Sequence, residues 1–503
     1  MPLFLALDLG TTVIKVGLFD AEGNLIALSR REYPLVTNGP FVEVDTETCW
    51  HQIVAGIRDV LSTSGALPGE VIGLSISSQG QTFLPVDRNG HPLGRAMVWL
   101  DRRATAEADS IRAALDPETL YRHTGLPDIG PGLMACNLLW LRRHEPELFQ
   151  QAHRFLHIGD HFLHRFTHRF VAEKSLNSGT GLYDIITGTW WTLMADLVGL
   201  SAGQLSELVP SGLPIGRLTP VAAQETGLSP DTVAISGTID VVATALGSNA
   251  LSNEHIALSL GTTMQTNVTL SERLYDLDRK LLWICEHALP GSFLGVLWRE
   301  TAGLTLRWFR DVFCAKERHV AEATGQDAYD LLTRMAGTVP PGADGLLILP
   351  YLQGNRLPES IPGFRGIFFG ISPSHNKGHF VRAILEGVAY ALRENLEFLT
   401  QMGIPWRELC PTGGGAKSQL WNQINADVTG YPLRLVKCSE ASLLGAAILA
   451  AIGTGIYPDA FEACNQMVQA AGMVYPNSNN RPAYEKGYQR FQSLYEQTKE
   501  LFR

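Results

Sequence analysis

The chain has 503 residues, 45% hydrophobic and 18% charged, the balance expected of a soluble globular protein too long for one ordinary domain. Its formal net charge of -10 excludes nonspecific attraction to nucleic acid or an anionic membrane, so a phosphorylated ligand must be held by local devices such as backbone amides, a metal ion and helix ends.

The apolar start MPLFLALDLGTT lacks a basic n-region and meets Asp8 before a signal peptide's apolar core would end. Leu3 to Leu9 reads as a strand, Gly10-Thr11-Thr12 as a turn, and Ile14 to Phe19 as a second strand; a third, Leu25 to Ser29, follows the turn at Asp20–Asn24. Thr46 to Leu61 carries helical periodicity, with Thr46 as the expected N-cap and Trp50, Ile53, Ile57 and Leu61 on one face. Val71 to Ser77 and Phe83 to Asp87 read as strands, the latter closed by an Asn89-Gly90 turn. The pattern then repeats: His255 to Leu260, Gly261-Thr262-Thr263, Met264 to Leu270. Leu-Gly-Thr-Thr thus stands at 9–12 and 260–263 in matching strand–turn–strand contexts, which predicts two similar α/β domains, 1–247 and 248–503, divided near the small, polar GSNALSN stretch. Helices are expected at Gly378–Leu399, Ser418–Thr429 and Ala441–Ile452 and after Arg481, with a strand around Pro432–Lys437. No run of about 18 uncharged apolar residues predicts a membrane span. The seven cysteines are scattered and contain no CxxC pair, which predicts free thiols in a reducing cytoplasm.

Phosphoryl transfer needs amide donors and small hydroxyls for the phosphates, a divalent cation near a carboxylate, and a base facing the acceptor. A Walker A motif is absent. The chain offers instead three glycine-rich turns: Gly10-Thr11-Thr12, Gly261-Thr262-Thr263 and Gly413-Gly414-Gly415. Asp8, ahead of the first turn, is placed to hold a metal through water; read alone, it is also an ordinary solvated strand end. Asp240, in Ile235-Ser-Gly-Thr-Ile-Asp240, falls between a β-like run and the helix-like Val241–Leu246. Its position near a helix N-terminus is expected to keep it ionised as a base, and it is equally that of a plain N-cap.

Asp8-Leu-Gly-Thr-Thr with Lys15 and Phe19-Asp20 resembles the first phosphate motif of the FGGY carbohydrate kinases, and Ser259-Leu-Gly-Thr-Thr263 their second. Pro411-Thr-Gly-Gly-Gly-Ala-Lys-Ser418 with Trp421-Asn-Gln resembles their adenosine motif. Gly366–Gly370 with His379-Phe380 and Arg382–Gly387, Glu440 with Leu444–Ala447, Pro350–Gly354, and Ala302-Gly303 with Trp308-Phe309 extend the likeness over nearly the whole chain.

The resemblance implies an α/β fold of two ribonuclease H-like (actin-like ATPase) domains with an interdomain cleft. ATP and Mg2+ are the implied cofactors, with Asp8 on the metal. Gly10, Thr11, Thr12, Gly261, Thr262, Thr263, Gly303, Gly414, Gly415, Ala416 and Ser418 would lie on the nucleotide. Asp240 falls on the catalytic aspartate.

The sugar would lie against Gln79, Gly80, Gln81, Trp99, Asp101, Arg102 and Asp240. Trp99 would offer a flat face, and Asp101 with an adjacent arginine would bind hydroxyls. Without the resemblance, Trp99 reads as core and Asp101-Arg102-Arg103 as a surface charge cluster. D-xylulose kinases carry Met-His and glycerol kinases Arg-Glu where this chain has Gly80-Gln81. The uncharged Gln81 suits hydroxyls and points to a ketopentose or short polyol, ahead of gluconate. Asn137 stands where the family usually has lysine, and Asn355 where many members have Glu; Asp160, Glu173 and Ser175 read as structural.

The expected partner is a small sugar or polyol, with neither nucleic acid nor membrane, and a homodimer is the assembly similar kinases allow. A sugar or nucleotide sensor without turnover, and an actin- or chaperone-like ATPase, are the competing readings.

Overall fold

The computed structural model describes all residues, Met1–Arg503. The chain folds as two compact units, neither continuous in sequence. Met1–Leu251, Thr269–Gly295 and Glu440–Gln469 form the first, and Ser252–Val268, Val296–Ser439 and Ala470–Arg503 the second. A division of the sequence at residue 247 does not anticipate the return of 269–295 and 440–469 to the first unit.

In the first unit, the Leu3–Leu9, Val13–Phe19 and Leu25–Glu32 strands form an antiparallel meander. Leu3–Leu9 also pairs in parallel with Val71–Ser78, which pairs in parallel with Val233–Ile235. The central strands, Leu3–Leu9 and Val71–Ser78, are buried almost throughout because both faces of the sheet are covered there. Val16 and Gly17 show how. A Cβ added at Gly56, in the Thr46–Ser64 helix, would meet Val16, whereas one added at Gly17 would meet Leu443. Successive strand residues point to opposite faces, so the Thr46–Ser64 and Ala441–Gly453 helices cover opposite sides. The first helix starts one residue earlier than expected: Asp45 is its N-cap, accepting from the Thr48 amide, and Thr46 is buried inside the helix. The almost wholly apolar Ala441–Gly453 helix crosses the Asp240–Gly247 helix at two glycines. A Cβ at Gly445 would lie 2.0 Å from the Ala243 carbonyl oxygen, and one at Gly247 1.9 Å from that of Ala441.

The second unit repeats the plan. His255–Leu260 and Met264–Leu270 are antiparallel, from Ile256↔Val268 to Leu260↔Met264. His255–Leu260 pairs in parallel with Glu408–Thr412, followed by Leu433–Val436 in parallel and Ala470–Val474 antiparallel. The 25-residue Lys377–Gln401 helix packs with the Gln419–Thr429 and Arg481–Thr498 helices. Each unit therefore has antiparallel strands whose first member pairs in parallel with a later one, as expected of the ribonuclease H-like halves of an α/β protein. No helix is long and apolar enough to cross a membrane.

Candidate active site

In the first unit the Leu3–Leu9 strand ends beside Val71–Ser78, in the register Asp8↔Ser77. That register explains the surroundings of Asp8, whose residue is 7% exposed. Its Oδ1 accepts from Ser77 Oγ at 3.2 Å, and its Oδ2 accepts from Ser442 Oγ at 2.8 Å and Lys15 Nζ at 3.2 Å. Lys15 also meets Glu440 Oε2 at 3.1 Å, and Glu440 accepts from Arg30 at 2.7 Å. Beyond Asp8 the chain turns at Gly10–Thr12, where the Gly10 amide donates to the Val13 carbonyl at 3.1 Å.

Thr238-Ile239 continues the sheet alongside Ser77↔Thr238 and Ser78↔Ile239, and Asp240 follows as the first residue of a helix. Ile239 holds the N-cap position, so Asp240 is not a plain cap. The Asp240 carboxylate accepts the Val241 amide at 2.8 Å. Burial, reinforced by the negative charge of Asp8, nevertheless pushes its pKa up to about 7. The expectation that the helix end alone keeps this group ionised is corrected: the hydrogen bond to Val241 and the charge of Lys15 oppose the rise without cancelling it. A carboxylate titrating near neutrality is suited to accept a proton from a hydroxyl.

The expected sugar-facing residues separate into two groups. Trp99 is 38% exposed, and its indole N–H donates to Thr11 Oγ1 at 2.9 Å, joining it to the first glycine turn. Gln79 is buried, with Nε2 3.4 Å from the Gly10 carbonyl and Oε1 without a partner. Arg102 is exposed and forms no ion pair with a carboxylate, and Gly80 lies against Ile239.

Asp101 departs from expectation. It is fully buried, accepting Arg103 Nε and Nη2 at 3.0 and 2.8 Å and the Val42 amide at 2.7 Å. Its carboxylate is engaged inside the protein, where it secures the loop. Gln81, at φ +62°, likewise bridges two loops: its Nε2 donates to the Gly179 carbonyl and its Oε1 accepts the Met134 amide at 3.2 Å.

In the second unit the Gly261–Thr263 turn is closed by the Gly261 amide on the Thr263 carbonyl at 3.0 Å. The start of the Gly303–Phe313 helix packs on it: the Ala302, Gly303 and Leu304 amides donate to the Thr262, Gly261 and Thr262 carbonyls at 3.0, 3.0 and 3.1 Å. A Cβ on Gly303 would lie 2.5 Å from the Gly261 oxygen, so this approach needs glycine. Gly303 thus shapes the turn, with its own amide already engaged. Gly414 borders open space, and Gly415 packs on Leu260, where a Cβ would come within 2.8 Å of the leucine Cβ. The Ala416 carbonyl accepts Asn422 Nδ2 at 2.7 Å. Ser418 is the N-cap of the following helix, its hydroxyl accepting the Trp421 amide at 3.2 Å.

Two family models cover most of the chain: the N-terminal domain of the FGGY family of carbohydrate kinases matches residues 3–247, and the C-terminal domain matches 256–454. The chain belongs to the FGGY family of carbohydrate kinases.

This kinase is 31% identical to a gluconokinase of Bacillus subtilis (strain 168), over 95% of this chain and 93% of that protein. It is 28% identical to a xylulose kinase of the same organism, over 100% and 98%. A crystal structure of gluconate kinase from Lactobacillus acidophilus superposes with a TM-score of 0.88 at 25% identity, covering 99% and 98% of the two chains. The kinase is therefore a phosphotransferase with an alcohol group as acceptor and a small carbohydrate as substrate; the family implies ATP as donor.

Sequence reasoning missed Ser442, and missed that Glu440 is tied through Lys15 to Asp8. Only their place in the closing-helix motif pointed to them. The Asn137 and Asn355 departures have local structural roles. Asn137 Nδ2 donates to the Pro131 carbonyl at 3.1 Å, and Asn355 Oδ1 accepts from buried Arg299 at 3.2 Å.

Proposed function

We propose that this kinase transfers the γ-phosphate of MgATP to a hydroxyl of a small neutral sugar, a ketopentose first among them, with Asp240 as the base. The observation that carries the reading is a half-buried carboxylate at a helix start, within reach of the charge of Asp8, with its pKa raised to about 7 by burial and that charge. Such a group accepts a hydroxyl proton near neutrality and returns it to water after transfer. In the first unit, Thr11 and Thr12 offer amides to phosphate oxygens, Gly10 shapes the turn, and Trp99 offers a face to the sugar. In the second, Gly261-Thr262-Thr263 and Gly414-Gly415-Ala416 approach the nucleotide.

Asp8 suits a Mg2+ held through water. No three His, Cys, Asp or Glu side chains are placed to enclose an ion, so the remaining ligands would be water and phosphate oxygens, as Mg2+ prefers. When bound, the ion neutralises charge on the transferred group. Six buried free thiols, Cys49, Cys136, Cys285, Cys314, Cys410 and Cys464, fit a cytoplasmic setting.

A second reading, gluconate as acceptor, is favoured by the exposed Arg102 without a carboxylate partner and by the 31% identity to a gluconokinase. Acceptor-dependent ADP release across D-xylulose, L-xylulose, D-ribulose, erythritol, glycerol and D-gluconate tests both. A ketopentose as best acceptor, with Arg102→Ala leaving its KM within about twofold, supports the first reading. D-gluconate as best acceptor, with its KM raised about tenfold by Arg102→Ala, replaces it with the second.

A further inference from the structure

Glu173, Ser175 and Thr238 form a buried hydroxyl–carboxylate chain in the first unit that the reaction described above does not use. All three are at most 1% exposed. Glu173 is the N-cap of the short Lys174–Asn177 helix, and its carboxylate accepts four hydrogen bonds. Oε1 takes the Ser175 amide at 2.9 Å and Ser211 Oγ at 2.6 Å; Oε2 takes the Leu176 amide at 2.8 Å and Ser175 Oγ at 2.7 Å.

Ser175 has a single hydroxyl proton, and Glu173 receives it. Both lone pairs of Ser175 Oγ are then free to accept, and two donors fill them: the Ile239 amide at 3.1 Å and Thr238 Oγ1 at 2.7 Å. The order of donation is therefore fixed as Thr238 to Ser175 to Glu173. On its other side the same dipeptide is held by the sheet, Thr238↔Ser77 and Ile239↔Ser78. Asp160 braces the base of the chain by accepting the Glu173 amide at 3.2 Å, and a cavity of about 10 Å3, room for one water, lies among Asp160, Glu173 and Thr238. The residue that follows this doubly pinned dipeptide is Asp240.

We propose that Ser175, oriented by Glu173, is a positioning residue for Asp240: it fixes the Thr238-Ile239 peptides, and through them the direction in which the Asp240 carboxylate leaves the sheet. This rests on Asp240 being the base. Ser175 is fully buried, so its loss affects the chemical step and leaves both Michaelis constants unchanged. A base displaced by a fraction of an ångström to 1 Å loses up to about 100-fold in rate.

The test uses the full chain and whichever acceptor of the panel gives the fastest ADP release. Ser175→Ala and Thr238→Val should each lower kcat about 10- to 100-fold, with KM for ATP and acceptor within about twofold of wild type. Because the two hydroxyls act as one chain, the double variant should be no slower than the slower single variant. A folded Ser175→Ala enzyme with kcat within twofold of wild type overturns the proposal. So does a double variant whose losses multiply, or a change confined to KM. Should Ser175→Ala not fold, Thr238→Val decides alone, since it preserves shape and removes only the hydroxyl. If Asp240→Asn stays active, the base assignment fails and takes this inference with it. An inactive Asp240→Asn beside a normal Ser175→Ala sinks this inference alone.

Discussion

The two Gly-Thr-Thr hairpins share a scaffold and differ in charge. Each is a strand–turn–strand whose first strand pairs in parallel with a later one, in the registers Asp8↔Ser77 and Ser259↔Thr412. Two residues before the glycine, one hairpin carries Asp8 and the other Ser259. The turns close differently as well, on Val13 in the first and one residue sooner, on Thr263, in the second. The charged position comes with its own counter-charges and donors, Lys15, Ser77 and Ser442, and with a second carboxylate, Asp240, whose proton affinity it raises. The uncharged position is backed by a helix start that takes up the turn's carbonyls. One scaffold thus carries ionisable groups beside its turn, and the other only neutral dipoles.

This contrast breaks most sharply at Asp240. Asp240→Asn should reduce kcat by about 10³-fold or more while ATP affinity, measured by calorimetry, stays within a few-fold. Next, Asp8→Asn should lower kcat by about 100-fold, whereas Ser259→Ala, the equivalent change in the other hairpin, should remain within about threefold. Equal losses at the two positions would erase the distinction. Smaller still, Gly303→Ala should raise the KM for ATP about tenfold, because its methyl would stand 2.5 Å from the Gly261 carbonyl oxygen. Gly10→Ala, with a corresponding distance of 2.9 Å to the Val13 oxygen, should raise it less.

Acidity sharpens the comparison from another side. A base with its pKa at about 7 must be deprotonated to act, so kcat/KM should fall as pH drops below about 7. The same raised pKa means that the folded state holds the Asp240 proton more tightly than the unfolded chain. Ionisation of Asp240 therefore lowers stability progressively from about pH 4 to pH 7. Asp240→Asn removes that loss. It should stabilise the protein by about 2–4 kcal/mol at pH 8 and by nothing near pH 3, as read from urea unfolding at the two pH values. A destabilised Asp240→Asn at pH 8 would contradict the burial and charge argument.

Much of this was legible in the sequence. Both hairpins, the helix after Ser418 and the strand-to-helix context of Asp240 follow from local periodicity and turn chemistry, and the structure has them within one or two residues. What was not legible depends on contacts between residues distant in sequence. Asp101-Arg102-Arg103 does not reveal that Arg103 folds back onto the carboxylate while Arg102 points outward. The acidity of Asp240 depends on Asp8, brought near by pairing of both their strands with Val71–Ser78. Ser418 reads from the sequence as a nucleotide contact, and its 3.2 Å bond to the Trp421 amide as helix cap comes from the structure alone. Glu173 and Ser175 carry no periodic signal at all, because their purpose lies in a dipeptide much later in the chain.

The Ala441–Gly453 helix covers one face of a sheet whose first strand is Leu3–Leu9, so a sheet begun at Leu3 is completed only by a helix that starts at Ala441. During translation the nascent first unit must wait, its apolar sheet surface uncovered, until the ribosome has moved past residue 453. A fragment ending at residue 247 would carry that bare surface permanently, with Asp8 deprived of Ser442.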